Sequence, residues 1–298
     1  MPGEAQLRYA AYTVGNTDLR TDEIAPLLGG VGFDGVEWRV TPPAHPDRPE
    51  HLTLLDVERQ AERVRAQCDK ADLDVPIVTS YEPLGASANV EALITLAAGL
   101  GARLCRFWFR DYDKPAHYET RFDDARRGLD EAVAIGKCCG VKPVVEVHLR
   151  TIVASPSATR RLLEAFSPDE AGAIYDPGNM VIEGHEEPEN AVEILGPYLA
   201  HVHVKNTCWV RKADGSWAWD WCALDEGIAD WPRVIRVLVA NGYSGYLSLE
   251  DFHHFRPETR EYPPEKKAEH IRSVRATFAE QLALLKKLVA DARQEVGR

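Results

Sequence analysis

Strand-like and helix-like segments alternate eight times along these 298 residues, and no GxGxxG follows the first strand. Strict alternation with helical crossovers predicts a parallel sheet. Eight units at this length predict closure into a barrel, which commonly takes about 250 residues. The missing glycine fingerprint argues against the open, dinucleotide-binding alternative. The predicted fold is therefore α/β, a single (β/α)8 TIM barrel over residues 1–298.

The elements follow in order. An apolar strand near Leu7–Tyr12 precedes a helical pattern at Asp22–Leu28, where Ile24, Leu27 and Leu28 share a face. "FDGVEWRV" reads as the second strand, and Leu54–Lys70 as a helix carrying Val57, Ala61, Val64 and Cys68 at helical spacing. "DVPIVTS" and the helix Asn89–Leu100 follow, then "ARLCRFWF" and the helix Phe122–Lys137. After "VKPVVEVH" a helix opens at Ser155-Pro156, a capping serine with proline in the first turn. "AGAIYDPGN" is the sixth strand, with a short helical stretch near Glu189–Leu195. "HVHVKN" is the seventh, and the helix Trp231–Ala240 stops at Asn241-Gly242. "YLSLEDF" is the eighth. An amphipathic helix at about residues 264–294 closes the chain, with Ile271, Val274, Phe278, Leu282 and Leu285 on one face.

One long irregular segment is expected at Thr207–Ile228, after the seventh strand. It holds Trp209, Trp217, Trp219 and Trp221. A loop this aromatic suits a wall over a binding site, with Trp209 as a contact, or a contact between subunits of a homo-oligomer.

The net charge of -12 disfavours a nucleic-acid partner. No apolar run approaches the ~20 residues of a membrane span, so no membrane partner is expected. The six cysteines lack CxxC spacing, and the N-terminal stretch lacks the basic start and apolar run of a secretory leader. A cytoplasmic location with reduced thiols is expected.

Active sites of such barrels lie at the C-terminal ends of the strands. Strands five to eight end in Glu146, Asp176, His203 and Glu250. Three oxygen donors and one imidazole suit one divalent ion. Mn²⁺ is the first choice, Mg²⁺ or Co²⁺ fit too, and Zn²⁺ prefers more nitrogen or sulfur. Period-two alternation puts His201, His203 and Lys205 on one face, with His201 a layer deeper. Asp251 has the opposite parity to Glu250 and should face the helices.

The ordered set "GFDGVEW", "VVEVH", "YDPGN", "HVHVKN" and "GYLSLEDF" resembles the xylose isomerase-like barrel superfamily, in particular its sugar phosphate isomerase/epimerase branch. The resemblance implies that Glu146, Asp176, His203 and Glu250 hold one metal ion and that Glu146 and Glu250 also shuttle protons. Two positions depart from the pattern. Asn206 stands where aspartate is frequent, and Asn179 where histidine is frequent. The related DNA-repair endonucleases carry extra histidines for three zinc ions, and Asn179 removes one of that set.

The chemistry expected is removal of a proton beside a metal-polarised carbonyl of a sugar-like substrate, giving isomerisation or epimerisation. With a β leaving group the same enediolate gives a lyase or dehydratase acting on an oxidised sugar, cyclitol or keto-glycoside, including C-glycoside cleavage. A non-catalytic binding barrel is the remaining class. Lys205 holds a substrate oxygen or pairs with a ligand carboxylate. His148 donates to a hydroxyl or orients Glu146. Arg106, Trp108, Glu37 and Asn179 are further candidates to line the pocket; barrel filling capped by a salt bridge is the competing role for Arg106 and Trp108, and rim salt bridging for Glu37.

Overall fold

The structure is a computed structural model that describes residues 7–40, 51–85, 87–109, 117–252 and 264–297. Eight parallel strands close into a barrel: β1 (Arg8–Tyr12), β2 (Gly35–Val40), β3 (Ile77–Pro83), β4 (Leu104–Trp108), β5 (Lys142–Glu146), β6 (Gly172–Tyr175), β7 (Leu199–Val204) and β10 (Tyr246–Glu250). β10 pairs with β1, so the sheet has no free edge. The outer layer includes helices α1 (Thr21–Val31), α2 (Val57–Lys70), α3 (Ser87–Gly99), α4 (Tyr118–Cys139), α5 (Pro156–Leu163), α6 (Pro177–Met180), α7 (Pro188–Leu195), α8 (Trp231–Ala240) and α9 (Pro264–Val296).

Strand parity sorts the residues into two layers. Val36, Trp38, Val40, Val202, Val204, Leu247 and Leu249 point outward into the large apolar core beneath the helices. Inside the barrel, Ile77, Val144 and Ile174 form an apolar floor. Above it the inward positions turn polar: Glu37, Thr79, Arg106, Glu146, His201, His203 and Ser248 are all buried. The barrel is thus dry at the bottom and charged at the top. The face of α9 carrying Val274, Phe278, Leu282 and Leu285 is buried, with Phe278 edge-on to Phe33 at 5.6 Å. Asp251 faces this helix, where Gln281 Nε2 donates to it at 3.1 Å.

Two local readings of the sequence are corrected. Residues 207–228 are not irregular: β8 (Asn206–Arg211) and β9 (Trp217–Cys222) form an antiparallel ribbon. "WAWDW" alternates with period two, and Asp214-Gly215 supplies the turn, Gly215 taking φ +85°. The register puts Trp209 opposite Trp219 and Trp221 opposite Thr207, so all four tryptophans share one ribbon face. "HVHVKN" is not one strand either: β7 ends at Val204 and Asn206 opens the ribbon.

Asn206 fixes that junction. Its Nδ2 donates to the carbonyls of Leu224 (2.7 Å) and Ala229 (3.0 Å), and its Oδ1 accepts from the N–H of Thr207 and of Ala229. An aspartate could accept but not donate, which explains asparagine here. Among the described residues no helix is long and apolar enough to cross a membrane.

Candidate metal and active site

The four strand-end residues converge. His203 Nδ1 lies 3.2 Å from Glu146 Oε1, 3.7 Å from Glu250 Oε2 and 3.8 Å from Asp176 Oδ2. Ligand atoms each about 2.0–2.2 Å from a shared ion would be separated by similar distances. Glu146, Asp176, His203 and Glu250 are all buried and form a group able to hold a metal ion.

Charge gives a second test of fit. Glu37, Glu146, Asp176 and Glu250 are four buried carboxylates, and the buried cations paired with them are Arg106 and Lys205. With neutral histidines the cluster has an excess of two negative charges. Buried charge must be paired, and one divalent cation would balance this excess.

Glu37 lies below the ligands rather than on the rim, and is fully buried. Its carboxylate accepts from His201 Nε2 at 3.0 Å, His203 Nε2 at 2.9 Å, Ser248 Oγ at 2.6 Å and Thr79 Oγ1. His203 therefore turns Nε2 toward Glu37 and leaves Nδ1 for the quartet, a carboxylate–histidine pair that sets tautomer and ring direction. Tyr12 stacks on the same imidazole, with centroids 5.3 Å apart.

The other ligands are held as firmly. Arg106 pairs with Glu146 Oε2 at 2.6 Å and donates to the Ser80 carbonyl. Asp176 caps the short helix α6, accepting from the Asn179 N–H at 3.0 Å. Asn179 Nδ2 donates to Glu146 Oε1 (3.0 Å) and Asp176 Oδ2 (2.9 Å), which places this residue behind the ligand oxygens. Lys205 Nζ reaches Asp176 Oδ2 at 2.8 Å and Glu250 Oε2 at 2.7 Å. Gly178 makes room for it: a Cβ there would meet Lys205 Cγ at 2.6 Å. His148 is half-buried, edge-on to Trp108 at 4.6 Å, with Nδ1 at 2.8 Å from the Leu149 carbonyl. It makes no hydrogen bond to Glu146 among the described residues.

Burial and charge split the acid–base behaviour of these groups. Burial pushes Glu250 up to about 7, against the pull of Lys205 and His203. Burial also acts to raise Glu146, but the charges of Arg106 and His203 outweigh it and hold the carboxyl well below the usual range. Burial opposes charge on Lys205 and His203, yet the surrounding carboxylates raise both. Burial lowers His148 to about 4, so its imidazole is neutral.

A cavity of about 220 Å³ opens beside this cluster, lined by Lys205, Glu250, Trp221 and Phe252 among others. Trp221 stacks on Phe252 at 4.6 Å and lies 5.0 Å from Lys205 Nζ. Trp209 does not line the cavity. It is 41% exposed and donates from Nε1 to the Val181 carbonyl. Sequence reading also passed over Tyr12, Arg39, Tyr81 and Phe252. Inward parity two residues beyond Glu37 and Thr79 was the available signal for Arg39 and Tyr81.

The family model of a xylose isomerase-like TIM barrel matches residues 29–277. An inosose dehydratase of Clostridium perfringens is 26% identical over 148 residues, 44% of this chain and 48% of that protein. The chain thus matches about half the length of this curated relative. Among solved structures, an L-ribulose 3-epimerase superposes with a TM-score of 0.72 at 16% identity, covering 98% of this chain and 97% of that one. A D-psicose 3-epimerase determined in the presence of D-fructose gives 0.68 at 13% identity, covering 94% and 99%. At such identities the structural matches show the fold alone.

Two outcomes test the site. Glu37→Gln should weaken Mn²⁺ affinity about 10–100-fold, as loss of a ligand-orienting carboxylate does elsewhere; chelator competition measures it, and unchanged affinity would remove Glu37 from the site. Metal uptake should also release protons, because Glu250 and His203 hold protons near neutrality that a bound ion must displace. Apparent affinity should fall as pH drops through about 7. Calorimetry in two buffers of different ionisation enthalpy reads the proton count, and a value of zero at pH 6.5 to 7 contradicts this account.

Proposed function

The chain belongs to the xylose isomerase-like TIM barrel family, and from that premise we propose that it is a divalent-metal-dependent isomerase or epimerase of a sugar-like ketone. Glu146, Asp176, His203 and Glu250 hold the ion in this reading, with Mn²⁺ the first choice for an oxygen-rich set. When bound, such an ion supplies Lewis-acid polarisation of the carbonyl beside the reacting carbon.

The observation that carries the proposal is the divergence of two carboxylates in one site. Burial raises Glu250 in the metal-free chain and Lys205 lies against it, while Arg106 pairs with Glu146 and keeps it ionised. A base works best with a pKa near the operating pH, and pairs pushed apart by their surroundings divide acid–base roles between them. Glu250 takes the proton from the carbon beside the carbonyl, and Glu146 supplies fixed charge. Return of the proton by Glu250 to the neighbouring carbon gives isomerisation. Return of a proton from solvent to the opposite face of the original carbon gives epimerisation. Lys205 steadies Glu250 in its ionised form, and Trp221 and Phe252 give the sugar ring an apolar wall.

Dehydration is the second reading, favoured by the inosose dehydratase relatives. A Glu250 that has just accepted the proton, or the Lys205 ammonium beside it, can protonate a departing hydroxyl. The first step is the same, and a product lighter by one water separates the two.

The test is α-proton exchange followed by NMR in D₂O, with the Mn²⁺-loaded chain and a panel of keto-sugars and inososes. Glu250→Gln should retain the ion and lose about 10²–10⁴ of the exchange rate. Near-normal exchange with metal bound would rule out Glu250 as the base. On whichever substrate exchanges, Trp221→Ala should raise KM about tenfold, the value of one stacking contact, and Trp209→Ala should leave it within about twofold. The reverse ranking would put the substrate on the other part of the ribbon.

A further inference from the structure

The mouth of the barrel has two halves. β5, β6, β7 and β10 carry the metal ligands and Lys205. The opposite arc, β1 to β3, carries Tyr12, Arg39 and Tyr81 on its inward positions. Arg39 shares parity with Glu37 and stands one layer above it, toward the mouth. It lies in the second strand from Glu250, since Tyr12 of β1 is in register with both Glu250 and Glu37. Two strand spacings put the two backbones roughly 10 Å apart.

Arg39 is 5% exposed. Among the described residues its guanidinium has no salt bridge and no hydrogen bond, and Nε is a buried atom without a partner. Its one contact of note is the face of Tyr81, at 5.2 Å. Arg106 lies over the same ring at 4.9 Å, but Arg106 is bound to Glu146. The neighbours of Arg39 are unsatisfied too. The Tyr12 hydroxyl and both side-chain polar atoms of Asn16 are buried without partners. Asn16 ends the turn that begins at Thr13, whose Oγ1 accepts from the Arg39 N–H at 3.0 Å. Buried arginine is ordinarily paired, and buried amides and hydroxyls are ordinarily bonded. Orphaned polar atoms on three neighbouring residues, with Arg39 and Tyr12 on inward positions of the arc opposite the strands that carry the quartet, describe a receptor for an oxyanion.

We propose that the substrate carries a carboxylate, and that Arg39, flanked by Tyr12 and Asn16, receives it across the barrel mouth from the metal ligands. The substrate class is then a sugar acid or hydroxylated cyclic acid with its ketone toward Glu250. This rests on the isomerase or lyase reading above and narrows it. A carboxylate fits better than a phosphate dianion because, among the described residues, one unpaired positive charge is on offer. The neighbouring cations, Arg106 and Lys205, are committed to Glu146 and to Asp176 and Glu250. A planar guanidinium also matches a carboxylate edge with two parallel hydrogen bonds.

The test is calorimetric binding to the Mn²⁺-loaded full chain of paired probes: D-glucuronate against D-glucose, D-gluconate against D-glucitol, with D-glucose 6-phosphate as the phosphate arm. The acid of each pair should bind at least about tenfold tighter than its neutral partner. Arg39→Gln should erase most of that preference, and Arg39→Lys should retain part of it. Metal content should be wild-type in both variants. The ion itself also attracts carboxylates, so the decisive quantity is the change on Arg39→Gln. A preference that survives this substitution overturns the proposal, as does its absence in the wild type. Glucose 6-phosphate bound more tightly than glucuronate, through Arg39, overturns it in favour of a phosphate site. A ligand-free Arg39→Gln chain should melt no lower than wild type, since an unpaired buried charge has been removed. A marked fall would make Arg39 a structural partner of Tyr81 instead. Loss of metal binding or of Glu250-dependent exchange would sink the proposed reaction; wild-type metal and exchange without charge selectivity would sink this inference alone.

Discussion

Four carboxylates are buried at one end of a barrel whose other end is sealed by Ile77, Val144 and Ile174. Arg106 and Lys205 are the buried cations paired with them, and Arg39 is buried at the same mouth without a carboxylate partner among the described residues. This surplus of negative charge is the constraint on which the site depends. Taken out of water without compensation, each charge would cost several kcal/mol. In the metal-free chain burial pushes Glu250 up to about 7 and the surrounding carboxylates raise His203, so both groups favour holding a proton. In the proposed reading a divalent ion displaces those protons and balances the surplus. Metal affinity, proton uptake and the basicity of Glu250 are therefore three expressions of one electrostatic imbalance.

The geometry that serves this charge is built in layers. The candidate ligands face the lumen, and each is held by a neighbouring residue: His203 by Glu37, Glu146 by Arg106 and Asn179, Asp176 by Asn179 and the first turn of α6, Glu250 by Lys205. Sites hold their function when the supporting shell fixes the rotamers of the reacting shell. The tryptophan ribbon is anchored in the same way, through Asn206 at its base, so that Trp221 stands over Lys205 at a fixed height. Among the described residues, the half of the mouth between β1 and β3 has no such closure. Its polar atoms wait for a partner that the described protein residues do not supply.

Much of this was legible in the sequence, for physical reasons. Strand–helix alternation and inward parity are local signals, and they located the barrel, the four strand-end residues that converge and the depth ordering of His201 and His203. Asp251 could be assigned to the helices on parity alone. What escaped depends on contacts between distant segments. Glu37 lies more than 160 residues from the histidines it orients, and no local pattern distinguishes it from a rim carboxylate. Trp209 is the ribbon tryptophan nearest His203 in the chain, but the hairpin folds Trp221 back beside Thr207 and over Lys205. The ribbon itself was readable, since Asp214-Gly215 between alternating aromatics is a hairpin signal, but the density of tryptophan drew attention to chemistry rather than period.

The central claim is that this cluster is built around one divalent cation. The most direct measurement is titration of the chelator-stripped chain with Mn²⁺ at neutral pH, following the free ion by electron paramagnetic resonance and the folded state by thermal melting. One tightly bound ion per chain, with a melting temperature that rises in step with occupancy, is the predicted result. No saturable binding, two or more equivalent ions per chain, or an equal response to potassium would contradict it.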